Sequence, residues 1–347
     1  MNRTIEQHMT NASAVSTPSV FGSVGTDLGR FIADKLGEVE TFLDVAVTQA
    51  KRLPNESSHH LLNAGGKRVR PILVFLAAQY GDPDRQEVVK AAAATEMIHL
   101  ATLYHDDVMD DAPVRRGATA AHLVWTNSVA ILTGDVLFAR ASQLSSELGP
   151  RAVLLQSETF ERLVIGQLAE FAGPEEGADP VEHYITVLAD KTGSLIAAAV
   201  EFGLLTSGAP EEYVAPMREY GEKVGVAFQL IDDVIDLTST GETSGKTPGT
   251  DLREGVVTLP VLYVQDAADS GDAGAKRVVD LLEADLSSDQ ALEAARSALA
   301  AHPVTERVRQ EAHRWAGEAI AALEVLPAGK VKDGLVDFAR SVVDRAS

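Results

Sequence analysis

Asp106-Asp107-Val108-Met109-Asp110 and Asp232-Asp233-Val234-Ile235-Asp236 are the two stretches that decide how this chain is read. Each places carboxylates at i, i+1 and i+4. On an α-helix, residues four apart lie one above the other on the same face. Asp106 and Asp110 therefore form one column, and Asp232 and Asp236 form another. Carboxylates stacked this way repel unless cations lie between them. Hard oxygen ligands with open coordination positions suit Mg²⁺, which completes its octahedron with waters and substrate phosphates. Two facing columns would make a socket for a diphosphate clamped by several Mg²⁺.

The flanks lift the pair above ordinary surface acidity. The chain carries 51 Asp+Glu against 30 Lys+Arg, a net charge of -21. In so acidic a sequence a lone cluster reads as a solvated face. Here the first motif follows Met97-Ile98-His99-Leu100-Ala101-Thr102-Leu103-Tyr104, and the second follows Val226-Ala227-Phe228-Gln229-Leu230-Ile231. Acids emerging from apolar helices point to a cavity. The acidity also argues against a nucleic-acid partner. With 45% apolar and 23% charged residues, composition is that of an ordinary globular protein. Aromatics are only 5%, and the abundant Ala favours helix over sheet. Cysteine is absent, which removes disulfides and thiolate metal sites. No apolar run is long enough to span a bilayer.

Helical periodicity organises the rest. Residues 1–25 are polar, without helical period or signal-peptide pattern, and read as a disordered tail. Residues 26–347 read as one all-α domain. Asp27 to Arg52 is expected as one amphipathic helix, with Asp27 capping its start. Gly65-Gly66 breaks the chain before a helix ending near Tyr80. Residues 85–110 form a long helix ending in the first acidic motif, and 112–117 form a loop. Helices are expected over 120–148, 150–171, 180–206, 211–238, 256–269, 275–283, 289–300, 303–324 and 330–345. Within 256–269 the composition is strand-like, but Pro260 opposes a central strand and suits the first turn of a helix.

Cations should accompany a metal–diphosphate site. Lys67 and Arg70 lie three apart after the double glycine. Arg115 and Arg116 follow the first motif on a Gly-terminated loop. Lys191-Thr192 opens an apolar helix, and Lys246 lies in a polar loop after the second motif. Arg grips phosphate bidentately, whereas Lys acts as a point charge. His99 stands about two helical turns before Asp106, on roughly the same face. There is no P-loop, no Ser-His-Asp arrangement and no zinc spacing.

At this point the chain resembles the trans-isoprenyl (polyprenyl) diphosphate synthases, from about residue 26 to the C-terminus. Gly65-Gly66-Lys67-Arg68-Val69-Arg70-Pro71 is similar to the family's homoallylic-substrate motif. His105 to Asp111 with Arg115-Arg116-Gly117 is similar to its first aspartate-rich motif. Thr133-Gly134-Asp135 and Gly166-Gln167 resemble two further signatures, and Phe228 to Asp236 the second aspartate-rich motif. Gly245-Lys246, Gly249 to Leu252 and Thr258-Leu259-Pro260 resemble the closing loop.

The resemblance implies an isoprenoid-synthase-type helical bundle around a central cavity, homodimeric and cytoplasmic. It implies Asp106, Asp110 and Asp232 as the main ligands of about three Mg²⁺, with Mn²⁺ able to substitute. Asp107, Asp233 and Asp236 would support them. Arg115, Lys191, Thr192, Gln229 and Lys246 would hold the allylic diphosphate, with Arg115 and Lys191 also serving catalysis. Lys67, Arg70, His99 and Arg116 would hold isopentenyl diphosphate. Val256 and Glu170 depart from the family pattern, where Lys and Asp are common, and Tyr104 replaces a common Leu.

The bacterial long-chain synthases are the most similar branch. Ala101 and Thr102, one turn before Asp106, are small where a short-chain enzyme would be expected to carry an aromatic. Ala94, Met97 and Ile98 lie further down the helix, and Asp106 to Ala94 spans about 18 Å. A product of about C30 or longer is expected from that length, and the resemblance implies one such as that for menaquinone. Peripheral membrane contact would serve its release. A geranylgeranyl diphosphate synthase is the alternative. A class I terpene cyclase or a regulatory subunit fits less well, because both acidic motifs and the Gly-Gly-Lys motif are present.

Overall fold

The computed structural model describes residues 26–239 and 248–346. Its two longest helices carry the acidic motifs. Helix α4 (Gln86–Met109) ends in the first, and α10 (Val214–Thr238) in the second. Along α4, Val88, Ala91, Ala92, Ala93, Ala94, Met97 and Leu100 are fully buried. Ala is the best helix former and costs no side-chain entropy. Its size lets other helices close around α4.

Those neighbours are α1 (Thr26–Val47), α3 (Val69–Ala78), α6 (Asn127–Leu148) and α9 (Ser194–Ser207). Helix α6 approaches closely because of Gly134, where a Cβ would clash with the His105 ring and lie 3.1 Å from the Ala101 carbonyl. Helix α10 is flanked by α9 and by α15 (Pro303–Ala322). The shell is completed by α2 (Arg52–Asn63), α5 (Ala121–Val124), α7 (Pro150–Ala172), α8 (Pro180–Leu188), α11 (Thr250–Glu254), α12 (Leu259–Asp269), α13 (Ala273–Leu282), α14 (Asp289–Ala301) and α16 (Lys330–Val343). The all-α expectation holds, with one small exception.

That exception corrects the loop expected at 112–117. Strands β1 (Val114–Arg115) and β2 (Ala118–Thr119) pair antiparallel, Val114 opposite Thr119. The two turn residues, Arg116 and Gly117, both have positive φ, 53° and 76°. This is the two-residue turn whose twist matches a hairpin.

Three helix boundaries also differ. The helix expected to reach Arg52 stops at Val47, and a new one begins at Arg52. Pro54 stands in the first turn of α2, where its missing N–H costs no helical bond, and in the connection Gln49 N donates to the Asn55 side chain at 2.9 Å. Asp27 lies inside the first turn of α1 instead of capping it. The span 120–148 divides at Thr126, whose hydroxyl accepts from Val129 N at 3.2 Å and caps α6. The span 180–206 contains a π-helical segment, Ala189–Gly193, between α8 and α9. Pro260 stands in the first turn of α12, as its position in the sequence led us to expect. The tail read at residues 1–25 lies outside the described residues.

Tyr104, the departure of unknown effect, has a structural role. It is fully buried in α4. Its hydroxyl donates to the Ser57 carbonyl and accepts from Leu61 N at 3.1 Å, tying α4 to α2. Burial pushes the phenol pKa up to about 12. Tyr104→Phe leaves a buried donor and a buried acceptor unpaired. It should cost about 1–3 kcal/mol of stability. Thermal and denaturant unfolding would read this loss, and an unchanged midpoint would contradict the tie.

Candidate active site

Both acidic motifs occupy helix C-termini. The macrodipole there is negative and disfavours carboxylates. Asp106 is half-buried in the last turn of α4, and Asp110 is its exposed C-cap. Burial pushes the Asp106 carboxyl up to about 6, against the pull of Lys191, and the Asp110 and Asp107 charges add to the rise. Asp110 is raised too, chiefly by burial. These carboxylates lack enough positive charge around them, which is the condition a divalent cation relieves. The donor set is all oxygen and suits Mg²⁺. Among the described residues, no three His, Asp or Glu side chains converge to hold a metal ion alone.

The six aspartates fall into two groups. Asp107 is fully buried, and Arg115 Nε donates to its Oδ1 at 2.5 Å. Asp233 is buried in α10, accepting from the Tyr184 hydroxyl of α8 and from Gln229 Nε2 at 3.4 Å. Burial drives the Asp233 carboxyl well above the usual range, and burial beside Asp233 does the same to the Tyr184 phenol. Asp236 accepts from Thr250 N at 3.3 Å and Asp251 N at 3.4 Å, which ties α11 to α10. These three hold structure. Asp106 and Asp110 lie nearer the surface, as does Asp232, which pairs with Arg345 at 3.4 Å.

The cations separate as well. The hairpin sends Arg115 to Asp107 and Arg116 back toward the double glycine. Arg116 Nη1 donates to the Gly65 carbonyl at 2.5 Å, and Nη2 lies 3.4 Å from Glu96. Lys191 stands in the π segment, pairs with Glu170 of α7, and acts electrostatically on both Asp106 and Asp110. Glu170, the longer substitute for Asp, thus reaches the lysine. Thr192 Oγ1 lies 3.4 Å from Gln229 Oε1, joining the π segment to the second motif. Lys246 lies outside the described residues.

Arg70, His99 and Arg116 form a second cationic region. Arg70 is lowered to about 10 by burial, partly countered by Glu96 and reinforced by the Arg116 charge. Its buried Nε has no hydrogen-bond partner. His99 is held well below its ordinary value, by burial and then by Arg70, Arg116 and Arg115. Its ring is therefore neutral at pH 7, a dipolar hydrogen-bonding group among guanidinium charges. Lys67 is exposed at the edge. Ala94, Met97, Ile98 and Ala101 are buried along α4, and the Thr102 hydroxyl donates to the His99 carbonyl at 2.9 Å.

Sequence reasoning missed Tyr184, Glu96, Arg68 and Arg345. Glu96 carried a signal, as a lone acid between Thr95 and Met97 in an otherwise apolar helix face. Tyr184 carried none, because its role appears only when α8 meets α10.

The model of the polyprenyl synthetase family matches residues 51–299. Over 323 residues the chain is 45% identical to the nonaprenyl diphosphate synthase of Mycobacterium tuberculosis, covering 90% of this chain and 96% of that one. A polyprenyl synthase from Caulobacter crescentus, solved with calcium and isoprenyl diphosphate, superposes with a TM-score of 0.84 at 32% identity, over 92% of this chain and 97% of that one. A geranylgeranyl pyrophosphate synthase from Corynebacterium glutamicum, also solved with calcium and isoprenyl diphosphate, gives 0.81 at 40% identity, over 92% and 98%. The chain belongs to the polyprenyl synthetase family. It is a trans-prenyltransferase of the isoprenoid-synthase fold.

Proposed function

We propose that this prenyltransferase condenses an allylic diphosphate with isopentenyl diphosphate at the site between α4 and α10, and releases a long all-trans product. The observation that carries the site is the pairing of two charge environments. One holds acids raised above their usual range, and the other holds a half-buried Arg70 whose buried Nε has no hydrogen-bond partner. The first suits a metal-bound diphosphate, the second a bare one.

About three Mg²⁺ would bind through Asp106, Asp110 and Asp232, neutralising the departing diphosphate. Asp107, Asp233 and Asp236 would hold the surrounding framework. Arg115 and Lys191 would stabilise the charge growing on the allylic diphosphate as its C–O bond ionises, with Thr192, Gln229 and Lys246 orienting it. Lys67, Arg70, His99 and Arg116 would place isopentenyl diphosphate so that its double bond meets the allylic carbon. A proton then leaves the adduct, accepted by the diphosphate itself. The apolar flanks of α4 and α10 would keep water from the cation.

Long product length is supported by the nonaprenyl relative and by Ala101 and Thr102. A geranylgeranyl product is the second reading, favoured by the 40% identity to the Corynebacterium glutamicum enzyme. A homodimer is supported by exposed apolar residues on α6 and α7, among them Leu132, Val164, Ile165 and Leu168. No helix among the described residues is long and apolar enough to cross a membrane. Action in the cytoplasm, with peripheral membrane contact at product release, is part of the same reading. The test is incubation with labelled isopentenyl diphosphate, a series of allylic primers and Mg²⁺, followed by chromatography of the product. Products no longer than C20 would select the second reading, and no condensation with any primer would defeat both.

The hairpin predicts a division between its arginines. Arg115→Ala should mainly weaken use of the allylic substrate. Arg116→Ala should raise the KM for isopentenyl diphosphate by about tenfold or more, the loss of one charged hydrogen-bonding group. Steady-state kinetics with each substrate varied in turn would check this, and identical effects from the two variants would refute it.

A further inference from the structure

Beneath the Arg70 region lies a carboxylate that neither acidic motif accounts for. Glu96 belongs to α4 and is only 1% exposed. Its Oε1 accepts from Arg68 Nη1 at 2.9 Å and from Arg116 Nη2 at 3.4 Å. Arg68, 3% exposed, reaches onward to Glu40 with its Nε at 2.5 Å and Nη2 at 3.2 Å. A buried acid without such partners would be strongly unfavourable. One carboxylate thus anchors two arginines from different elements.

Both arginines have positive φ, 48° for Arg68 and 53° for Arg116. Side-chain-bearing residues persist there only where the surroundings impose it. Their side chains cover the double glycine. A Cβ on Gly66 would lie 2.9 Å from Arg116 Cζ and 3.0 Å from Arg68 Nη1. Arg116 also grips the Gly65 carbonyl. The shape of the Gly65-Gly66-Lys67 turn therefore depends on where these guanidinium groups sit. Their mutual repulsion, and that with Arg70, is offset at the centre by Glu96.

We propose that Glu96 is a positioning residue for isopentenyl diphosphate, acting by fixing Arg116 and Arg68 so that the Gly65-Gly66-Lys67 turn and Arg70 are preset for the diphosphate. The inference rests on the reading of Lys67, Arg70, His99 and Arg116 as the isopentenyl diphosphate site. A carboxylate at the centre of a phosphate site opposes binding unless the cations around it outnumber it. Glu40 offsets Arg68 from the outer side. Glu96 pairs with Arg68 and Arg116 and acts on Arg70 only at longer range, so two carboxylates face three guanidinium groups and the pocket stays positive. Preorganised charge binds better than mobile charge, because nothing must rearrange on binding.

The experiment compares wild type, Glu96→Gln, Arg116→Ala and the double variant, with both substrates varied. Glu96→Gln should raise the KM for isopentenyl diphosphate by about tenfold and that for the allylic primer by less than about threefold. Because Glu96 acts in part through Arg116, the two substitutions should combine to clearly less than the product of their separate effects. Multiplicative effects, or equal rises in both constants, would overturn the proposal, since a general packing defect moves both. Should Glu96→Gln fail to fold, Glu40→Gln loosens the same arginine from its half-exposed side. It should raise the isopentenyl diphosphate KM alone, by about threefold, and no change there would also count against the role. If wild type extends no primer with isopentenyl diphosphate, the reading of the site fails first, a result distinct from either of these.

Discussion

Asp106→Ala and Asp232→Ala should each lower turnover by roughly 10²–10³-fold or more, with circular dichroism and unfolding midpoint close to wild type. The expectation follows from how the aspartates divide. Asp106 sits at the negative end of α4, and burial, with smaller contributions from the Asp110 and Asp107 charges, raises its carboxyl to about 6. Removing it relieves carboxylate repulsion, so the fold should not suffer. Asp107 and Asp233 are the contrasting cases. Truncating Asp107 strands Arg115, and truncating Asp233 strands the Tyr184 hydroxyl. Those variants should lose stability together with activity. Chelation should abolish turnover of the wild type, and added Mg²⁺ should restore it. Near-normal turnover in Asp106→Ala, or activity surviving exhaustive chelation, would place the chemistry elsewhere.

Ala101→Phe should shorten the main product markedly while leaving the first condensation active. Ala101 is 2% exposed and stands one turn before the first motif. Stability separates two outcomes. If the ring enters space reserved for a growing prenyl chain, it fills a void and the unfolding midpoint holds. If Ala101 merely lets α6 approach, overpacking should cost about 1–3 kcal/mol. Product chromatography and thermal unfolding on the same preparation distinguish them. An unchanged product distribution with a destabilised fold would show that the limit on length lies beyond Ala101.

The class of fold and the two acidic columns were legible in the sequence because helical period and i, i+4 spacing are local facts. The mostly apolar runs Met97 to Tyr104 and Val226 to Ile231 were enough to place both motifs on buried helices. What stayed hidden depended on contacts distant in sequence. Tyr184 reaches Asp233 only after α8 folds onto α10. Glu96 shows its use only when the hairpin returns Arg116 to α4. The break at Val47 carried no local signal, since Pro54 lies beyond Arg52 and does not oppose a helix that ends there. The hairpin at 114–119 was masked too, because Arg116 takes a turn position usually given to Asn, Asp or Gly.

The π-helical segment at Ala189–Gly193 bears on how this site can change. Such a segment accommodates one residue more than regular α-helix would, and it lies where Lys191 and Thr192 meet the site. Each residue turns a helix by about 100°. A deletion of one residue within this segment would give a smoother helix and keep the composition nearly intact. It would leave α8 and α9 facing the neighbours they have now, because the π turn had absorbed the extra residue, but it would re-aim Lys191 and Thr192 inside the segment by up to about that angle and take them from the acidic columns. Substitutions can tune this protein, but its reading frame of side chains around the cavity is set by length. Relatives that drift by point mutation can keep the chemistry, whereas a single-residue indel here should end it.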